Sequence, residues 1–421
     1  MIIWKRRKKK KSILKNIKKF INKQLNGKDV ASFTILEVVL IILITLLFGV
    51  IVGYLINYSK NDTTKDSKLN EIVSTYNSIV KNYYGDVDKN KLSDAAVKGM
   101  VESLEDPYSS YMEGATADEF NESIDGSFTG IGVLIQTSEG EDYTTIIDVY
   151  EDSPAKKAGM QVGDIIIKVN GEDVKGKTGA ELATMIRGKK GTKVDVTIKR
   201  NDEEKNLTLK RDIVDLISVT DKIIEYEGKN IGYIRIDSFA ANTYSQFYKS
   251  LRALESKKID SLIIDVRSNP GGHLQQTKQI LSLFFNSKTV LYRLKSKGKT
   301  EKVYSYSNES RNYPVAVLID SASASASEIL ASCFKENYKK VYIVGNTSYG
   351  KGTIQNTQTL SNGTTIKYTT ESWLTSKGKS INGIGVTPTV EVFLTEEYVN
   401  NPCDDTDSQL KEALNQLKES K

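Results

Sequence analysis

The chain has 421 residues, 39% hydrophobic and 27% charged, which is enough for two or three globular domains with their own cores. Its net charge of +6 is unevenly held: residues 1–28 carry twelve Lys/Arg and no acid, and the rest carries 47 basic against 53 acidic residues. A basic head on a mildly acidic body argues against nucleic acid as a partner of the body, and two cysteines, Cys333 and Cys403, support neither a disulfide framework nor a zinc site.

After the basic head, Val38 to Ile56 runs for nineteen residues without a charge. That is about the length of a helix that spans hydrocarbon. A cleaved signal peptide wants a shorter apolar run and a small-residue cleavage site, and none precedes YSKNDTTKDSK. The expectation is a basic cytoplasmic segment at 1–37 and an uncleaved transmembrane helix at 38–56. The basic flank stays inside, so residues from about 58 onward lie outside the cell membrane. Those lysines and arginines would also favour anionic membrane lipid as a partner.

A polar linker at 57–68 leads to Leu69, Ile72, Val73, Tyr76, Ile79, Val80 and Tyr83 at helical spacing, then to a second stripe from Leu92 to Leu104. Pro107 bars continuation. This predicts a helical module at 69–114, serving packing or dimerisation.

From Phe128 to Arg211 the pattern changes to short strands (GIGVLIQT, YTTIIDVY, DIIIKVN, KVDVTIK, KNLTLKR), with SPAKKAGMQVGD and a helix-like GAELATMIRG between them. The ordered run Gly130-Ile131-Gly132-Val133, Ser153-Pro154-Ala155, Gly163-Asp164-Ile165-Ile166 and Val169-Asn170-Gly171 resembles a PDZ domain, placed at 115–213. Such a domain captures a peptide's terminal carboxylate on backbone N–H groups and adds the peptide as a strand. The resemblance assigns the carboxylate to Ile131, Gly132 and Val133, and the pocket for the last side chain to Leu182 and Met185.

Residues 214–396 alternate apolar strands (IGYIRIDSF, SLIIDVRSN, VAVLID, VYIVG) with helical stretches near 243–257, 273–286 and 325–338, the signature of an α/β domain. Ligands in such sheets gather beyond the strand C-termini. Three marked loops fall there: Arg267-Ser268-Asn269-Pro270-Gly271-Gly272, the run Ser321 to Ser327, and Gly350-Lys351-Gly352. A polar tail at 397–421 carries a narrow stripe of Leu410, Leu414 and Leu417.

A serine nucleophile needs a base. The single histidine, His273, rules out metal motifs built on paired histidines and stands at a helix start, which makes it a weak base candidate. A lysine serves only if burial lowers its pKa by several units. Lys351 stands beyond a strand, between two glycines, 26 residues after Ser325, and Gln355 falls on the same face of an extended segment. Pattern alone does not choose among Ser321, Ser323, Ser325 and Ser327, which alternate with alanine. The amide after the nucleophile and the Asn-Pro-Gly-Gly loop could supply oxyanion donors.

IIDVRSNPGG, SASASEI, YGKGTIQ and SKGKSINGIGVTPTV together resemble the carboxyl-terminal processing peptidases, the tail-specific Ser/Lys proteases with a PDZ domain. The resemblance covers about 70–395. It implies a crotonase-like α/β core joined to a PDZ domain and a helical module, to which the uncharged run at 38–56 adds an N-terminal transmembrane helix. It assigns Ser325 as nucleophile, Lys351 as general base, Gln355 as its partner, and the amides of Ala326 and of Gly271 or Gly272 as oxyanion donors, with no cofactor or metal. The implied function is a membrane-anchored, extracytoplasmic serine endopeptidase that cleaves proteins near their C-termini, the PDZ domain binding the tail and gating activity, with a homodimer implied as well. The chain departs from the family pattern in a serine-to-lysine spacing one residue longer, in His273 where an apolar residue is usual, and in Thr389 where an acid often follows the proline. Two other readings compete: an inactive PDZ scaffold on a peptidase fold, which the intact Ser325, Lys351 and Gln355 oppose, and an acyl-thioester enzyme, which would leave a PDZ domain idle.

Overall fold

The computed structural model describes residues 35–60, 67–138 and 140–420. The chain divides into two compact units between Ala95 and Ala96. The basic segment expected at 1–37 lies almost wholly outside the described residues, as does half of the linker expected at 57–68.

In the first unit the backbone of Ile35–Lys60 is helical. Side chains are described for 39–53 of it, and Leu43, Leu46, Leu47 and Phe48 are all exposed. Among the described residues no helix is long and apolar enough to cross a membrane. A second helix, Ser67–Asn82, carries the apolar stripe, with Lys81 in its last turn where a cation suits the helix dipole. The helix Lys89–Glu102 runs across the division.

In the second unit the helix Gly114–Asp125 leads into a β-rich domain. Five strands, Val133–Gln136, Thr144–Val149, Ile165–Val169, Lys193–Arg200 and Glu203–Lys210, pair antiparallel in that spatial order. Alternation sets the buried face: Val194, Val196 and Ile198 point into the core and meet Ile146, Ile166 and Leu182. The helix Gly179–Ile186 starts at a capping box between Thr178 and Glu181. A two-stranded ribbon of Ser127–Gly130 with Asp212–Asp215 brings the domain's entry and exit together.

The largest core is built on a six-stranded sheet in sequence order: Val219–Tyr226, Lys229–Ile236, Ser261–Asp265, Val315–Ile319, Val341–Gly345 and Val390–Glu391. The first pair is an antiparallel hairpin turned at Glu227-Gly228, both at positive φ, and the remaining pairs are parallel. The first of these strands is not among the apolar runs that mark the domain in the sequence. Every residue of Ser261–Asp265 and Val315–Ile319 is buried, as strands covered on both faces require. Helices Thr243–Ser256, Leu274–Ser282 and Ala326–Asn337 cover one face through Phe247, Leu251, Ile280, Ile329 and Phe334. The other face is covered by the helix Ser408–Glu419, with Leu410, Ala413, Leu414 and Leu417 buried against Ile231, Ile263 and Leu318. Read as a polar tail, this segment is part of the hydrophobic core: a narrow stripe is all that a helix lying on a single sheet face needs.

A second sheet orders Ser110–Met112, Thr365–Thr375, Val290–Ser296 and Lys299–Tyr304, with Thr353–Thr359 pairing along Thr365–Thr375. Lys351 and Gln355 flank the start of that last strand.

Candidate active site

The strand Val315–Ile319 ends at Asp320, whose carboxylate accepts the N–H groups of Ala322 and Ser323 and, across the loop, that of Ser268. These bonds fold the serine run into a tight turn and hold the Ser-Asn-Pro-Gly-Gly loop beside it. The run's serines thereby take different roles. Ser323 and Ser327 are buried, and their hydroxyls donate to the carbonyls of Val266 and Asn269. Ser321 is exposed at the surface of the turn. Ser325 lines a cleft of about 500 Å³. It caps the helix Ala326–Asn337 at φ 55°, ψ −109°, a conformation that costs a non-glycine residue on the order of 1–3 kcal/mol.

Glu328 offsets that strain. Its side chain is fully buried. Oε2 accepts the N–H of Ser325 at 2.8 Å and that of Lys351 at 2.9 Å, while Oε1 accepts the N–H of Gly350 and the hydroxyl of Ser348, each at 2.6 Å. These four hydrogen bonds hold the strained residue and the lysine loop in place. Both segments are therefore held by one carboxylate. The sequence carried this signal as Ser-x-x-Glu at a helix start, and reading it only as a helix boundary missed the residue.

The lysine loop is also fixed from behind. Buried Trp373 donates its indole N–H to the Lys351 carbonyl at 2.9 Å, and the Gly352 N–H donates to Asn382 Oδ1 at 3.0 Å. Burial lowers the pKa of the Lys351 amine and repulsion from Lys367 adds to it, against the opposing pull of Asp106 and Glu328. Its Nζ lies 4.8 Å from the centre of the Tyr108 ring. Lys367, its own pKa lowered by burial, lines the same cleft with Nζ 5.2 Å from the Phe120 ring. Neither Tyr108 nor Lys367 has a sequence signal that separates it from other tyrosines and lysines.

Gln355 shares the cleft with Lys351. Simple alternation along the strand is not what places it there, because the register shifts by a bulge between Ile354 and Gln355. Its Nε2 donates to Thr353 Oγ1 and Thr369 Oγ1, both at 3.0 Å.

The Gly-Gly loop lies directly on the serine turn. A Cβ on Gly271 would stand 2.9 Å from Ser325 Cβ and from the Ala324 carbonyl oxygen, and 3.0 Å from the Ala326 nitrogen, and φ is +105°. The Gly271 N–H is already given to Asn269 Oδ1 at 2.8 Å. Of the two glycine amides, that of Gly272 has no acceptor among the described residues, and the same holds for the Ala326 amide. His273 lines the cleft with Nε2 buried and unpartnered among the described residues.

The strand-and-helix domain before this core has a groove of about 280 Å³, lined by Ile131, Gly132 and Val133 on one side and by Ala183, Ile186 and Arg187 on the other. Leu182 is instead fully buried in that domain's core and Met185 packs against it. The helix starts at Gly179 and presents its Ala183/Ile186 face to the groove, a phase that spacing alone did not settle. Glu122 also lines the groove and pairs with Arg187 at 3.2 Å.

Compared with proteins of known sequence, this chain is 38% identical over 358 residues to the carboxy-terminal processing protease CtpB of Bacillus subtilis, covering 84% of this chain and 72% of that protein. The chain belongs to peptidase family S41. The family's model matches residues 230–392, a PDZ domain model matches 145–200, and a model of the activating protease CtpB N-terminal domain matches 55–116. The carboxy-terminal processing protease CtpA of B. subtilis is 37% identical over 354 residues, covering 84% of this chain and 74% of its own. Among solved structures, a photosystem II D1 C-terminal processing protease aligns over 82% of this chain and 98% of its own at 24% identity and TM-score 0.45. The protein is thus an S41 carboxy-terminal processing serine peptidase with a PDZ domain, acting on protein or peptide substrates.

Proposed function

We propose that this S41 peptidase hydrolyses polypeptides near their C-termini with Ser325 as nucleophile and Lys351 as general base. The observation that carries this reading is the selection made within the serine turn: Ser325 alone lines the cleft that Lys351 also lines, and Glu328 tethers both backbones. A neutral Lys351 amine takes the hydroxyl proton as Ser325 Oγ attacks the scissile carbonyl. The resulting oxyanion is received by the Ala326 and Gly272 amides. The ammonium then protonates the leaving amine, which departs as the C-terminal fragment. Water, activated by the again neutral lysine, hydrolyses the ester on Ser325 and frees the rest of the substrate.

The PDZ groove would hold the substrate's terminal carboxylate at Ile131, Gly132 and Val133, the tail lying as an added strand along the Ala183/Ile186 face. The ribbon that joins the domain's two ends to the catalytic core, together with the Glu122–Arg187 pair at the groove, supports a coupling between tail binding and activity. The uncharged nineteen-residue run at 38–56 behind the basic head supports an anchor there, with lipid contact and the catalytic core outside the cell. The exposed Leu69, Ile72 and Val73 on the helix Ser67–Asn82 support a homodimer.

The test is hydrolysis of matched unfolded proteins that differ only in their last three residues. Wild type is expected to favour tails with an apolar last residue and a free carboxylate, and Ser325→Ala is expected to cleave none. Full cleavage by Ser325→Ala refutes the assignment.

A further inference from the structure

We infer that Asp106, acting through Thr369, is a positioning residue of the active site that fixes which end of the Gln355 amide faces Lys351. This rests on the Ser325–Lys351 reading above. Asp106 lies well before the PDZ domain in sequence, in the turn that leads to Ser110–Met112, and that strand pairs with Thr365–Thr375 beside the catalytic cleft.

The argument is one of counting hydrogens. Asp106 Oδ2 accepts the hydroxyls of Thr369 and Ser109, each at 2.6 Å, and Oδ1 accepts the Tyr108 N–H at 3.2 Å. Burial pushes the Asp106 carboxyl up, but the bonds from Ser109, Thr369 and Tyr108 outweigh it and hold the group below the usual carboxylate range. It is therefore an acceptor only at neutral pH. A threonine hydroxyl has one hydrogen, and Thr369 has given its hydrogen to Asp106. Its oxygen can then only accept, and Gln355 must present it with N–H. The second Nε2 hydrogen goes to Thr353. Both amide hydrogens are spent, so Oε1 is left as the free end of the side chain, in the cleft shared with Lys351.

That orientation matters chemically. A neutral amine that donates one N–H to Oε1 has its lone pair turned by the geometry, whereas a flipped amide would donate into that lone pair and occupy the base. The same turn carries Tyr108, whose ring lies beneath the Lys351 amine. The Asp106–Ser109 turn is thus a part of the catalytic apparatus contributed from outside the catalytic domain.

The test is steady-state hydrolysis of an unfolded protein by the full chain. Thr369→Val and Asp106→Ala should each lower kcat by about 10²-fold, the scale of a misplaced catalytic group, with KM unchanged. Thr369→Ser, which keeps the hydroxyl, should restore the rate. Thr369→Val combined with Gln355→Ala should be no slower than Gln355→Ala alone, because both act through one amide. The groups facing the Lys351 amine are Lys367, Asp106, Glu328 and the Tyr108 ring. A purely electrostatic role for Asp106 would therefore leave the high-pH plateau intact in Asp106→Ala and move its acid limb to lower pH. That result, a wild-type rate in Thr369→Val, or losses that multiply in the double variant would overturn the inference. Should Asp106→Ala not fold, the Thr369→Val and Thr369→Ser pair decides. Ser325→Ala assayed alongside separates the two levels: cleavage there overturns the dyad itself, and an inactive Ser325→Ala with an unimpaired Thr369→Val overturns only the positioning role.

Discussion

Glu328 Oε2 accepts the backbone N–H of Lys351 at 2.9 Å, and the same oxygen holds the N–H of Ser325. The relative placement of nucleophile and base is therefore set by a side chain that need not touch the substrate. Glu328→Gln keeps the shape but replaces one acceptor oxygen by a donor, which faces either two N–H groups or a hydroxyl and an N–H. We expect kcat to fall by about 10²-fold with KM little changed. Stability should drop by roughly 1–3 kcal/mol for buried donors left unpaired. Kinetics and chemical denaturation on the same preparation check both.

The pH dependence follows from the neighbours of Lys351. Burial and then the charge of Lys367 lower its pKa, and the reactive form is the neutral amine. The rate should rise with pH as the amine loses its proton. Lys367→Met removes a repulsion, so the Lys351 pKa rises, less neutral amine is present at a given pH, and the acid limb of kcat/KM shifts to higher pH. A limb that moves to lower pH contradicts the assignment of that limb to Lys351.

A buried charge cluster ties the C-terminal helix to the loop under the active site. Arg267, nearly buried, donates to Asp265 at 2.7 Å and lies 2.8 Å from Asp407, and it also reaches Gln409. Arg267→Met leaves Asp265 charged, fully buried and short of its partner, which costs about 3–5 kcal/mol. Burial alone would raise the Asp265 carboxyl, but Arg267 and the Tyr233 hydroxyl outweigh it, so its folded pKa lies below the unfolded value. The resulting stability is present at neutral pH and is lost as pH falls through the range beneath the ordinary carboxylate value. Denaturation across that range should show the acid dependence in wild type and a smaller one in Arg267→Met.

Much of this architecture is legible in the sequence because it rests on local patterns. The strands of the parallel sheet read as apolar runs, and the PDZ domain as ordered glycine motifs. Residues whose role depends on distant partners were not legible. Thr369 and Asp106 are 263 positions apart yet bonded, and nothing local marks either. Leu410, Leu414 and Leu417 looked like a marginal stripe because the sheet face that needs them lies elsewhere in the chain. Among four similar serines, only the turn built on Asp320 and the Asn269 carbonyl distinguishes the one left facing the cleft.

The groove of the PDZ domain gives a separable prediction. Gly132 sits at φ +82°, and a Cβ there would come within 2.3 Å of Ser153 Cβ. Gly132→Ala should distort the loop proposed to receive the tail's carboxylate. Cleavage that depends on the last three residues should fall by an order of magnitude, while reaction of Ser325 with a small acylating probe stays at the wild-type rate. Peptide-binding titration and probe labelling on one variant distinguish a binding defect from a catalytic one.

The central claim is that a lysine amine draws the proton from one particular serine. Mass spectrometry of the full-length protein after reaction with a serine-directed acylating probe tests it most directly. The account predicts a single adduct, on Ser325, that is lost in Lys351→Ala while the variant still melts as a folded protein. An adduct on a different serine, or one on Ser325 that forms just as fast without Lys351, would contradict it.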